Sequence, residues 1–116
     1  MSVIKDKNRI IADFMQCIPF NENKTSYWVE GVGYNHGFPI PVDELKYASD
    51  WNWLMKVIQH IKIQNRIYNR LVESGKGEID EKMNVLYSAI NISLTMCNID
   101  LTYNNVVDYI EYLNSL

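Results

Sequence analysis

Cysteine, proline and glycine are all scarce in this chain: two, three and five among 116 residues. Two cysteines, Cys17 and Cys97, cannot staple a small domain and fit no metal-type spacing, so a disulfide scaffold and a zinc module are both excluded. Few glycines and prolines exclude a low-complexity or collagen-like chain. No apolar run approaches the roughly 18–20 residues that cross a bilayer, so no membrane partner is expected. Lys5, Asp6, Lys7, Arg9 and Asp13 interrupt the first sixteen residues, which leaves no secretory hydrophobic region. Positive charge is also short. Eleven Lys and Arg against fourteen Asp and Glu give a formal charge of -3, without the basic face of a nucleic-acid binder, so no nucleic-acid partner is expected. No GxGxxG, Walker, HExxH or CxxC pattern occurs. The expectations are a cytoplasmic protein with reduced thiols, no cofactor, no metal and no enzymatic activity.

What is present is apolar and patterned. Hydrophobic residues make up 47% and charged residues 22%, which suits one folded domain spanning residues 1–116. Ile4, Ile10, Ile11, Phe14, Met15 and Ile18 recur at helical spacing and predict a helix over residues 5–17, stopped before Pro19. Residues 21–25 form a polar loop. From Tyr27 to Tyr34 aromatic and β-branched residues alternate, which predicts a strand. Asn35, His36 and Gly37 make a turn, and Phe38 to Ile40 return as an edge strand because Pro39 and Pro41 cannot donate to a ladder.

Ser49 or Asp50 starts a second helix, with Trp51, Leu54, Met55, Ile58 and Ile61 as one stripe and Trp53 and Val57 widening it. The pattern runs on through Ile67, Tyr68, Leu71 and Val72 to Gly75, as one long helix to Glu73 or two helices broken near residues 62–66. Residues 80–96 predict a helix, with a strand over 89–95 as rival because Ile90, Ile92, Leu94 and Met96 alternate. Asp100 or Thr102 caps a last helix over 102–114, whose stripe is Tyr103, Val106, Val107, Ile110 and Leu113. The expected class is α+β: a small two-layer domain with an N-terminal helix, a β-hairpin, then three helices packed on a small antiparallel sheet.

Three blocks carry a family resemblance. ELKYASDWNWLMKVIQHIK (44–62) resembles a pattern of small uncharacterised phage and prophage proteins of the Bacteroidetes, approximately LkYhsSWDWLMPVVEKI. NRIIADFM (8–15) resembles that family's opening, NklIAeFMG, and IDLTYNNVVDYIEYLN (99–114) resembles its close. Lys56 stands in place of the family's proline, Gln16 in place of its glycine, and Tyr112-Leu113 in place of its Trp-Tyr pair. The chain is also loosely similar to the phage ABA sandwich domain. The resemblance implies an accessory protein of the host-cell cytoplasm and no catalytic residue.

The candidate binding residues are Trp28, Gly31, Gly33, Tyr34 and His36. Trp28 and Tyr34 can stack a planar ligand, and the glycine amides and Lys24 can meet a phosphate. Core packing is the competing reading for the aromatics, and an exposed turn for His36. His60 belongs on a polar helix face. Tyr103, Tyr109 and Tyr112 offer surplus aromatic area for a homodimer contact. The expected partner is a host protein or a small nucleotide-like ligand. The alternatives are a sponge for a nucleotide immune signal and a small hydrolase or transferase built on His36 with nearby acids.

Overall fold

The computed structural model describes residues 3–28, 39–75 and 77–116. The predicted strand beyond Trp28, the turn at Asn35–Gly37 and the start of the return strand lie outside the described residues. Helix α1 spans Val3–Phe14, strand β1 Ile18–Pro19, β2 Ser26–Trp28 and β3 Ile40–Pro41. Two 3₁₀ turns, Val42–Glu44 and Lys46–Ala48, lead into α2 (Trp51–Glu73), followed by α3 (Glu81–Thr95) and α4 (Ile99–Asn114). The architecture is α+β, as expected, with an N-terminal helix and three later helices around a small antiparallel sheet.

The helix ends follow from side-chain chemistry. Asp50 takes extended backbone angles and accepts from the Asn52 amide, which caps α2 at its expected start. Asp80 caps α3 in the same way through the Met83 amide. For α4 the expected caps are wrong. Asn98 accepts from the Leu101 amide, so the helix begins three residues earlier than predicted, and the Thr102 hydroxyl donates to the Asn98 carbonyl instead. Asp100 falls in the first turn, where its charge still suits the positive end of the helix dipole. Helix α1 stops at Phe14 rather than residue 17, because Gln16 adopts a left-handed conformation with φ of 58° and the Cys17 amide turns back to the Ala12 carbonyl. Gly75 ends α2 with φ of 78°.

Helix α2 runs unbroken to Glu73, and residues 89–95 are helical rather than a strand. The alternation that suggested a strand is shared between two helix faces. Ile90 and Leu94 point into the core, while Ile92 and Met96 lie exposed one turn apart on the other side.

The sheet has order β1-β2-β3, all antiparallel, with Ile18 opposite Trp28 and Tyr27 opposite both Pro19 and Ile40. Strand β1 is not anticipated by the sequence pattern. Both edge strands carry a proline, which lacks the amide that a further strand would pair with.

Tyr27, fully buried, is the sheet's contribution to the core. The remainder comes from Ile11 and Ala12 of α1, Val42, Leu45 and Tyr47 of the connector, the first half of α2, Met83 and Ile90 of α3, and the inner face of α4. Tyr47 meets Trp53 edge-on at 5.3 Å between ring centroids, a geometry that aligns the positive ring edge with the negative face.

Asn8, Asn65, Ser93 and Thr102 are the buried polar residues among those described, and Asn8 ties the most distant parts of the chain together. Asn8 is 0% exposed, and its amide donates to the carbonyls of Val42 (2.9 Å) and Leu45 (3.2 Å) while its oxygen accepts from the Tyr103 hydroxyl (2.8 Å). Removing the asparagine leaves three buried groups unpaired. Asn8→Ala is therefore expected to destabilise the fold by roughly 3 kcal/mol and Tyr103→Phe by about 1–2 kcal/mol. Urea unfolding checks both: the midpoint moves and the slope does not. The same measurement tests Gln16. A glycine relieves the left-handed backbone without disturbing any core contact, so Gln16→Gly is expected to raise stability by about 0.5–1 kcal/mol.

Candidate binding surface

Strand parity decides which face of the sheet is free. Tyr27 points inward, so Trp28 on β2 and Ile18 opposite it on β1 point outward. Phe20, two residues after Ile18, falls on the same side, and its ring meets Trp28 at 6.1 Å with an interplanar angle of 65°. Ile18 is 66% exposed and Phe20 57%, with Trp28 half-buried between core and solvent. The outcome is a small apolar and aromatic face on the sheet, directly before the segment that holds Gly31, Gly33, Tyr34 and His36. Those four lie outside the described residues, so Trp28 is the predicted binding residue that the structure places. Phe20 and Ile18 were missed. Their signal is the period of two across Ile18 and Phe20, hidden because Pro19 between them reads as a helix stop.

The charges around this face are engaged. The Asp13 carboxylate accepts from the Tyr27 hydroxyl at 3.0 Å through one oxygen and meets the Lys24 ammonium at 3.1 Å through the other. Arg9 is held by Asp6 at 3.1 Å and by the Lys24 carbonyl. Burial, together with the bond to the Asp13 carboxylate, pushes the Tyr27 hydroxyl well above its usual range. It is a fixed donor, not an acid–base group.

Other candidates resolve as structure. Cys17 packs its Sγ 3.7 Å from the Tyr47 hydroxyl, and burial pushes its thiol up, so the thiolate needed for nucleophilic attack is disfavoured. His60 is half-buried on its helix face. Its ring lies edge-on to Phe14 at 5.1 Å, with Gln64 beside it. Tyr103 and Tyr109 are buried, which leaves half-buried Tyr112, tied to Asp80, as the member of that aromatic set at the surface. Among the described residues no group of three His, Cys, Asp or Glu could hold a metal, and no helix is long and apolar enough to cross a membrane.

A second feature lies where α2, α3 and α4 meet. The Tyr68 hydroxyl bonds the Asp80 amide and the Glu78 carbonyl, and the Asp80 carboxylate accepts from the Tyr112 hydroxyl at 2.6 Å as well as from the Met83 amide. Beside this brace runs a groove of about 380 Å³, with Leu86 in it and Asp108 and Glu111 along it.

These two surfaces belong to a small α+β domain. Comparison of the chain with protein-family models, curated proteins and solved structures finds no match.

The brace titrates. The hydrogen bond from Tyr112 holds the Asp80 carboxyl below its ordinary value of 3.8. A lowered folded-state pKa contributes stability that is complete above the unfolded value and lost as pH falls through the folded one. Tyr112→Phe is therefore expected to lower the melting temperature at neutral pH and to close that gap below about pH 4. Thermal melts of both proteins across pH 2–7 read it.

Proposed function

We propose that this chain is a non-enzymatic accessory protein of phage or prophage type that acts in the host-cell cytoplasm by binding a host protein through the outer face of its sheet. The observation that carries the proposal is the exposed Ile18–Phe20 pair set against half-buried Trp28. Large aromatic side chains on a rigid element lose little conformational freedom on binding, and such residues dominate the energy of protein contacts. The phage-type assignment rests on the three sequence blocks. It is supported by Gln16, which stands where the resembled pattern has glycine and takes the left-handed backbone that glycine favours.

A protein partner is preferred to a nucleotide for an electrostatic reason. Lys24, the cation nearest Trp28 in sequence, already faces the Asp13 carboxylate at 3.1 Å, so a phosphate would have to displace that carboxylate. A sponge for a nucleotide immune signal remains the second reading, since Trp28 presents an aromatic surface on which a base can stack.

Affinity capture of the native protein followed by mass spectrometry separates the two. A host polypeptide retained by wild type and lost in Trp28→Ala and Phe20→Ala supports the proposal. Each substitution is expected to weaken binding roughly 30-fold or more; Phe20→Ala, at an exposed position, should leave melting little changed, and circular dichroism verifies that the protein with half-buried Trp28 replaced stays folded. A retained small molecule, or saturable binding to a panel of cyclic nucleotides by calorimetry, replaces it with the sponge.

A further inference from the structure

Beyond the middle of α2 one of its faces leaves the core. Ile61 is its last fully buried side chain, and beyond it Ile63 and Ile67 are each 53% exposed and Leu71 44%. Their spacing of four makes one row along the helix. Lys62, Arg66 and Arg70 repeat at the same spacing and form a second row beside the first, all exposed. None of the three makes an ion pair among the described residues. A ridge that is apolar on one flank and uncompensated basic on the other calls for a surface that is apolar and acidic.

The same chain presents such a surface. The groove between α3 and α4 has Leu86 as its apolar part, and Asp108 and Glu111 supply carboxylates along it. Both acids are exposed and make no ion pair among the described residues. Lys82, the basic residue of the groove, lies 5.0 Å over the Tyr112 ring.

We propose that the occupant of the α2 ridge is a second copy of this chain: Ile67 and Leu71 of one copy lie against Leu86 of the other, and Arg66 and Arg70 face Asp108 and Glu111. Because ridge and groove are different patches, the contact closes as a twofold dimer when each ridge reaches the other's groove, and otherwise extends from copy to copy. This surface is separate from the sheet face and does not depend on it.

Sedimentation against protein concentration and salt tests the proposal. Wild type is expected to self-associate, less strongly as salt rises. Arg66→Glu with Arg70→Glu, and separately Asp108→Lys with Glu111→Lys, are each expected to weaken association roughly tenfold or more. All four residues are exposed, so melting should hold, and circular dichroism verifies it. An equimolar mixture of the two charge-reversed proteins should associate again, because each then offers what the other lacks. Trp28→Ala should leave association unchanged. A wild-type monomer at every concentration overturns the proposal, as do association indifferent to either reversal and a mixture that stays dissociated. Binding of monomeric wild type to anionic vesicles, lost on reversing Arg66 and Arg70, assigns the ridge to a membrane surface instead and equally overturns it.

Discussion

The fold turns on the buried amide of Asn8. A side-chain amide in an apolar interior costs several kcal/mol when unpaired and little when its donors and acceptor are all matched. Here they are matched by groups 34, 37 and 95 residues away in sequence. A hydrophobic contact tolerates sliding, whereas three hydrogen bonds to one planar group do not. Asn8 therefore sets the register of α1 against both the connector after the sheet and the last helix. With the connector pinned at Val42 and Leu45, Tyr47 is delivered to Trp53 and Cys17, and α2 departs from Asp50 in a defined direction.

The same connector determines what the sheet exposes. The Val42 amide donates to the Thr25 carbonyl and the Phe20 amide to the Ser26 carbonyl, so β2 is held between its neighbours with Tyr27 inward. Asp13 then takes the Tyr27 hydroxyl and the Lys24 charge together. One carboxylate on α1 thus anchors the inner side of β2 and leaves its outer side uncharged. The aromatic face at Trp28 is a consequence of where Asn8 and Asp13 place the backbone, and not of a local motif.

Much of this was legible in the residues, and the failures have particular causes. Ser49 or Asp50 followed by a long helical apolar pattern placed the start of α2, while periodicity alone left open whether the helix breaks near residues 62–66. Strand β1 was not legible because two paired residues carry no period and one of them is proline. The α4 start was misplaced because Asn98, Asp100 and Thr102 are all competent caps, and the left-handed residue Cys97 (φ 53°), which settles the choice in favour of Asn98, shows no glycine to announce it. The polar face at His60 was read from its neighbours one turn away, but the ring of Phe14 that packs on it is distant in sequence and carries no local signal. Of the candidate binding residues, Trp28 was found by alternation, while its companions Ile18 and Phe20 required the pairing of two strands that sequence separates by a loop.

Ile67 and Leu71 show where periodicity stops being informative. Periodicity continues the apolar pattern of α2 through them, and a pattern alone cannot say whether a stripe ends in the core or on the surface. A 23-residue helix is about 34 Å long at 1.5 Å per residue, longer than α3 or α4, and one face of its second half stays uncovered while Asn65 and Tyr68 still pack inward. Fully burying such a side chain is worth about 1.5–3 kcal/mol, and a helix held only by propensity would gain by polar residues there. The brace of Tyr68, Asp80 and Tyr112 keeps this half at a fixed angle to α3 and α4. Rigid placement beside unneutralised arginines turns the exposed row into a surface of defined shape and charge, and shape with charge is what selects one partner over another.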